Sequence, residues 1–379
     1  MADIKREAKT DDDVTLPDEL RARARAYSAM AVAHSTVSYS QRRAFETSAV
    51  RHLNNFVKAC LLDACARTCV AIRRRSQSHD DGFILDGLRV ADIAAGRGQD
   101  QAKFMYAARD AGTAIREYYA LDLSSEDTVS ARLMAAKYIQ PSARVLSIVC
   151  GDMGTHFAHV PDDSIDILSC QLALHYLFDD VRHLQTFFSE ARRVLCATGI
   201  MVVSYADGRS IVRRARNALS IVTGADADAD ADVAEAVVTV SSRYYTFSVP
   251  ERFLAHAIAG PYGLRYTFTL PGSVDAVPEY LAHEGCIIKH AQEYGLHAGT
   301  SMYFDEAALR FVGIPRLRSV SEKMGGCWYE DDEALDTANI YRFNIFSKNV
   351  DVLRLWDAEV TQETLGLAGR LNATSHATR

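Results

Sequence analysis

The chain has 379 residues, 48% hydrophobic and 24% charged, with 42 Lys+Arg against 49 Asp+Glu for a formal net charge of −7. These values suit a globular protein with a full-sized core and exclude collagen-like, disordered and disulfide-scaffold classes. The acidic balance also argues against a protein that coats nucleic acid by bulk charge, so DNA is not an expected partner. Single cores stop growing at roughly 250 to 300 residues, so the length predicts one main fold with additions.

The N-terminal text MADIKREAKTDDDV is acidic and polar where a secretory signal would need a basic start and an apolar core. Apolar runs are broken by charge well short of the roughly 18 residues a membrane span requires, so a soluble protein is expected. The eight cysteines (Cys60, Cys65, Cys69, Cys150, Cys170, Cys196, Cys286, Cys327) include no CxxC pair, which suits reduced thiols. Cys65 and Cys69 stand at i, i+4 without a nearby His, so buried small side chains are expected there and no metal site.

Residues 1–25 read as a polar lead carrying Asp11, Asp12 and Asp13. From Tyr27 to Ile72, apolar residues such as Phe45, Val50, Leu53, Phe56 and Val57 recur at helical steps. Between Leu88 and Ala206, short apolar runs alternate with amphipathic ones. The strands expected are Leu88–Ala94, Tyr118–Leu123, Arg144–Cys150, Ile165–Gln171 and Ile200–Tyr205, with a helix through Val181, Leu184, Phe187, Phe188, Ala191 and Val194. Alternation at this spacing predicts an α/β, Rossmann-like, doubly wound, mostly parallel sheet, whose ligands bind beyond the carboxyl ends of its strands.

After Ala206 comes a basic helix with Arg209, Arg213, Arg214 and Arg216, then GADADADADVAEA over 224–236, expected to be a solvated insertion. Further expectations are strands at Tyr244–Val249 and Leu264–Leu270, a helix from about Pro278 to Tyr294 with Pro in its first turn, a strand at Asn339–Ser347 and a final helix over Asp351–Leu367. Asn372-Ala373-Thr374 fits a glycosylation sequon, which means nothing without a signal peptide.

The first strand ends in Ala91-Asp92-Ile93-Ala94-Ala95-Gly96-Arg97-Gly98-Gln99-Asp100. Small residues there allow a sharp turn and close approach to a ligand, yet the loop lacks both the GxGxxG and the GxxxxGK[ST] spacing. Asp122 ends the next strand, where a carboxylate can take both ribose hydroxyls, and Asp152 follows the third, in reach of an adenine amino group. Three acids after three successive strands describe an adenosine site without a phosphate binder, which favours S-adenosyl-L-methionine over NAD or ATP. Past the fourth strand, Gln171, His175 and Tyr176 bring an amide, an imidazole and a phenol to the mouth of the cleft.

The block Asp166-Ile167-Leu168-Ser169-Cys170-Gln171 with His175-Tyr176 resembles the SCQF-x-x-HY block of the mRNA cap guanine-N7 methyltransferases. His52-Leu53-Asn54-Asn55-Phe56-Val57-Lys58 is similar to the family's RNFNNWxK motif, Asp92–Asp100 to its DLGCGxGGD loop, and Asp122-Leu123-Ser124 to its DIA. Val277-Pro278-Glu279-Tyr280-Leu281 is similar to its VPEF segment, and Asn339-Ile340-Tyr341 to its SIY strand. The resemblance spans about Tyr39 to Lys348 and implies a class I methyltransferase with N-terminal helices and a C-terminal α+β addition. It implies a methyltransferase domain over 26–348 (cofactor-binding core 84–220, insertion 221–236, cap-binding additions 237–348) and a helix and tail over 349–379.

Carried over residue by residue, the resemblance implies that Lys58, Asp92, Ala94, Gly96, Asp100, Asp122, Asp152 and Gln171 bind S-adenosyl-L-methionine. It implies that Asn54, His175, Tyr176, Glu279 and Tyr341 hold the guanine of 5′-capped RNA, with no acid/base residue and no metal. Implied partners are RNA guanylyltransferase or triphosphatase, RNA polymerase or an activating subunit; the implied location is the nucleus, or the cytoplasm for a virus replicating there. Ala94 and Gln99 depart from the family's glycines, and Ala94 would be strained at positive φ. Arg73, Arg74, Arg75 and the helix with Arg209 to Arg216 could follow RNA phosphates or form a solvated basic face. Two rivals remain, a small-molecule methyltransferase on the same fold and a catalytically silent homologue that binds RNA or a capping partner.

Overall fold

The computed structural model describes residues 48–76, 87–223, 236–254, 260–271, 274–323 and 328–361. The polar lead, the Asp/Ala run apart from Ala236, Cys327 and the sequon lie outside them. Five runs form strands β1 (Leu88–Ile93), β2 (Ile115–Asp122), β3 (Val145–Cys150), β4 (Ile165–Cys170) and β5 (Leu195–Ala206). Every residue of β4 is buried, as expected of a strand covered by helices on both faces. These strands pair in parallel.

A second, antiparallel sheet is built from β6 (Val237–Ser241), β7 (Thr246–Pro250), β8 (Arg265–Leu270) and β9 (Val274–Tyr280), in that order. Strands β10 (His297–Tyr303) and β11 (Tyr341–Ser347) return to the first sheet, whose order is β10-β11-β5-β4-β1-β2-β3, with β11 antiparallel to both neighbours. The doubly wound, mostly parallel α/β sheet read from the sequence is therefore the one observed.

Ten α-helices are described: α1 (Ser48–Ser76), α2 (Gln101–Asp110), α3 (Ser125–Tyr138), α4 (Val181–Val194), α5 (Gly208–Thr223), α6 (Glu284–Glu293), α7 (Phe304–Val312), α8 (Pro315–Lys323), α9 (Asp332–Ala338) and α10 (Val350–Thr361). None is long and apolar enough to cross a membrane. Side-chain caps start three of them: Ser124 accepts from Asp127 N, Asp180 from Arg182 N and Asp331 from Ala334 N.

Helix α1 buries Leu53, Phe56, Val57, Leu61, Cys65 and Cys69 against the sheet. Cys65 and Cys69 thus behave as small core side chains, and the seven described cysteines are free. Arg73, read as following RNA phosphates or lying on a solvated basic face, instead turns inward: its Nη2 lies 2.5 Å from Asp166 of β4, whose other oxygen is 3.0 Å from Arg89 of β1. The Asp166 carboxylate is 3% exposed, so its charge demands these partners.

One expectation is overturned. Residues 278–280 belong to strand β9, and the helix begins only at Glu284. The alternation is the strand's: Val277 and Glu279 are buried while Pro278 and Tyr280 are half-buried. Pro278, read as a helix N-terminal residue, is tolerated because β9 is the edge of its sheet. Strands β6 and β10 were not expected from the sequence.

Replacing Asp166 by Ala leaves two guanidinium groups facing a buried site without their counter-ion. Since both arginines are partly exposed, we expect a loss of about 2–3 kcal/mol in urea unfolding. A change under 0.5 kcal/mol would show that Asp166 does not fasten α1 to the sheet.

Candidate active site

The carboxyl end of β1 turns through three residues at positive φ, Ala94 (58°), Gly96 (51°) and Gly98 (75°). The turn brings the Gly96 amide within 2.7 Å of Asp122 Oδ2, and the Ser124 amide donates to Asp122 Oδ1 at 2.9 Å. Both donors fix the carboxylate at the end of β2, with lone pairs left for further donors. Burial nevertheless pushes the Asp122 pKa up, against these bonds.

At the end of β3, Asp152 Oδ1 accepts from Gly154 N at 3.0 Å, while its Oδ2 is buried and makes no hydrogen bond to any described residue. Leaving such an acceptor unpaired costs about 1–3 kcal/mol, so it calls for a donor from a ligand. Gln171 follows β4 and is oriented by Ser204, which donates to its Oε1 at 2.9 Å, and by Ser169 at 3.2 Å. A cleft of about 220 Å³ is lined by Ala94, Gly96, Asp122, Asp152, Gln171 and Tyr176, with apolar cover from Leu121 and Met153. Ribose hydroxyls can donate to Asp122 and an adenine amino group to the orphan oxygen of Asp152, so the residues present fit an adenosine-bearing cofactor.

Lys58, Asp92 and Asp100, also expected at the cofactor, do not line this cleft. They form a buried ion network under its loop. Asp100 lies 2.9 Å from Lys58 of α1 and 2.6 Å from Lys103 of α2, and these cations hold its pKa well below the carboxylate range against the cost of burial. Asp92 accepts from the Tyr118 hydroxyl at 2.7 Å; burial, with Asp100 nearby, pushes its pKa up to about 7.

The second group of expected residues meets around Glu279 of β9, which is 4% exposed. Tyr266, directly opposite on β8, donates to Oε2 at 2.5 Å, and Tyr176 donates to Oε1 at 3.5 Å. His175 Nδ1 accepts from the Ala206 amide, which puts the ring proton of the neutral imidazole on Nε2. That nitrogen lies 3.5 Å from Glu279 Oε1 and makes no hydrogen bond to a described residue. The His175 and Tyr176 rings lie 4.1 Å apart.

Tyr341 is buried at the start of β11, opposite Ala206, and its hydroxyl pKa is raised by burial and by the adjacent Glu279. Asn54, one turn before Lys58 on α1, is buried with an Oδ1 that has no hydrogen bond among the described residues, and no hydrogen bond joins it to the Glu279 cluster. Tyr266 escaped the sequence reading, because only the β8–β9 register sets it beside Glu279.

The sequence profile of the mRNA (guanine-N(7))-methyltransferase domain matches residues 22–339. The chain belongs to this family. It is 24% identical over 258 residues to the mRNA cap guanine-N(7) methyltransferase of Drosophila melanogaster, covering 65% of this chain and 52% of that protein. It is 22% identical over 280 residues to mRNA cap guanine-N(7) methyltransferase 1 of Oryza sativa subsp. japonica, covering 73% of this chain and 66% of that protein. The chain thus spans about half to two thirds of the length of these relatives. Among solved structures, an S-adenosylmethionine-dependent methyltransferase from Clostridium acetobutylicum ATCC 824 is similar at 14% identity, with a TM-score of 0.35 over 62% of this chain and 82% of that one. S-adenosylmethionine is the cofactor that the family implies.

In this member of the family the first loop glycine is Ala94 at φ 58°, a left-handed conformation that costs a side-chain-bearing residue about 1–2 kcal/mol. Ala94→Gly should raise the free energy of unfolding by roughly 0.5 kcal/mol once glycine's extra unfolded-state entropy is subtracted. A loss of stability would refute the strain. Asp92 has a raised folded pKa, so the folded state holds a proton the unfolded state has lost, and stability falls as pH rises from about 4 to 7. Asp92→Asn should remove that slope in unfolding measured across this window; an unchanged slope would mean that Asp92 is ionised throughout.

Proposed function

We propose that this chain transfers the methyl group of S-adenosylmethionine to N7 of the guanosine that caps an mRNA, GpppN-RNA, giving m7GpppN-RNA. The observation that carries the reading is the position of Tyr176. It lines the cofactor cleft and also donates to Glu279, so the adenosine-fitting cleft and the buried carboxylate share one wall.

S-adenosylmethionine, when bound, supplies a methyl group on a positively charged sulfonium. Guanine N7 already carries a free lone pair, so the chain need not supply a general base, and positioning with electrostatics carries the catalysis. Glu279 is built as an acceptor. Its carboxylate is held by phenols, and a guanine presents N1–H and an exocyclic amino group where adenine presents an acceptor. His175 Nε2–H adds a donor on the same wall, and the paired His175 and Tyr176 rings offer a surface for the base. The conserved geometry of a Ser-His-Asp or Cys-His set is not required by this chemistry.

Capped RNA is the proposed substrate. A guanylyltransferase, triphosphatase, RNA polymerase or activating subunit as partner, and residence in the nucleus or in the cytoplasm for a virus, belong to this proposal and rest on the family alone.

The test is incubation with radiolabelled S-adenosylmethionine and unmethylated GpppG- or GpppA-capped RNA, followed by digestion and identification of the labelled nucleotide. Label on cap N7 is expected, and label elsewhere would overturn the proposal. Glu279→Gln should lower kcat/KM for capped RNA about 10- to 100-fold, the equivalent of one base-edge contact at roughly 1–3 kcal/mol, while calorimetry shows unchanged cofactor binding. Asp122→Asn should weaken cofactor binding itself by at least tenfold. Equal activity in either variant would remove that residue's role.

A further inference from the structure

A larger concavity than the cofactor cleft lies on the same carboxyl edge of the sheet. It measures about 610 Å³, within the roughly 300–1,000 Å³ of ligand pockets, and is lined by Arg209, Arg213 and Arg216 of α5 together with Phe253, Pro261 and His283. Helix α5 starts right after β5, whose Ala206 amide bonds His175, and the Gly208 amide at its first turn donates to Ala282, three residues past Glu279. The order along the edge is therefore cofactor cleft, Glu279 cluster, arginine cleft.

The three arginines of this cleft are gathered on one helix face without a carboxylate at salt-bridge distance among the described residues. Arg67, Arg73, Arg89, Arg193, Arg214 and Arg342 all face carboxylates within salt-bridge distance. None of the three cleft arginines does so among the described residues. Arg213 donates to the Asn339 side-chain amide at 2.8 Å and Arg216 to the Leu254 carbonyl at 2.7 Å, both neutral acceptors. Arg209 is exposed and has no hydrogen bond or ion pair with a described residue. The acids of the adjoining cleft, Asp207 and Glu284, already face Arg342, so the three cations side by side repel one another at a cost relieved by an anion that spans them. Apolar Val212, Phe253 and Pro261 sit beside them, a surface for a flat ring next to each charge.

We infer that this cleft binds the phosphodiester backbone of the RNA downstream of the cap, with a base lying against its apolar wall, so that transcript and cap guanine occupy adjacent stations of one groove. The inference rests on the proposed activity for its substrate class but not for its charge or shape. An acidic protein segment would meet the same arginines but gains nothing from the ring-sized apolar wall, so RNA is the favoured occupant.

The test uses the full chain and fluorescently labelled uncapped single-stranded RNA of ten nucleotides, followed by anisotropy from 50 to 200 mM salt. Arg209→Glu is the first variant because Arg209 supports no internal bond; Arg209→Glu with Arg213→Gln is the second. Affinity should fall about 3- to 10-fold per arginine removed, and the slope of log K against log salt should shrink by about 0.7 for each. With capped substrates, KM should rise for a capped ten-nucleotide RNA and stay unchanged for the GpppG dinucleotide, with kcat constant for both. RNA binding and slope equal to those of the unmodified chain would overturn the cleft assignment. Equal increases in KM for dinucleotide and RNA would also overturn it, since the arginines would then act at the cap. A poly-glutamate peptide of matched charge that binds tighter than the RNA would assign the cleft to a protein partner instead. If neither capped substrate is methylated while the variants still lose RNA binding, the cleft stands and the cap-methylation proposal falls.

Discussion

Asp100 is an anion almost withdrawn from water, and the cofactor side of the molecule is arranged around that fact. Its two oxygens hold Lys58 from α1 and Lys103 from α2, and the loop that ends at Asp100 is the one that lines the cleft. Lys58 and Arg73 are fifteen residues apart, roughly 22 Å along a helix, and each is tied to a buried carboxylate of the core. Helix α1 is thus fastened at two points, and Asn54 stands between the first and the helix start. Burial of apolar surface drives α1 onto the sheet, whereas the ion pairs fix where along the sheet it stops, because a slip would strand a charge in the interior.

The second sheet answers a different need. A parallel sheet offers its carboxyl edge to ligands, and the buried acid beside that edge comes from elsewhere. Strand β9 supplies it by running past that edge as the outer strand of a separate sheet, joined to the first by the bridge of Asp207 with Ala282. The Glu279 carboxylate is then positioned from two independent directions, Tyr266 on its own sheet and Tyr176 from the segment after β4. Pro278 next to it has no amide hydrogen, so the exposed edge of β9 is interrupted beside the residue that faces the site.

What the sequence revealed follows local rules, and what it hid depends on distant pairing. That Asp122, Asp152 and Gln171 line one cleft was legible because residues after parallel strands gather at the sheet's carboxyl edge whatever the rest of the chain does. The segment around Pro278 was misread because proline suits a helix's first turn and an edge strand equally, and only the partner strand β8 decides between them. Tyr266 shares that origin. The inward turn of Arg73 was hidden because its partner, Asp166, lies far along the chain, and a run of three arginines carries no sign of which one faces the core. The sign of φ at Ala94 was equally out of reach, being set by the descent of the loop toward Asp122.

Tyr176 belongs to both walls, and this has a thermodynamic consequence. A side chain that borders two clefts can couple them: if filling the cofactor cleft shifts its ring or hydroxyl, the field at Glu279 changes with it. Reciprocity then requires that whatever factor the first ligand lends to the affinity of the second is returned unchanged. Order of binding would become a matter of concentrations and rates, since the free energy of the doubly filled state is the same by either route. The tyrosine that gives the two clefts a common boundary is thus the residue through which such a coupling would pass.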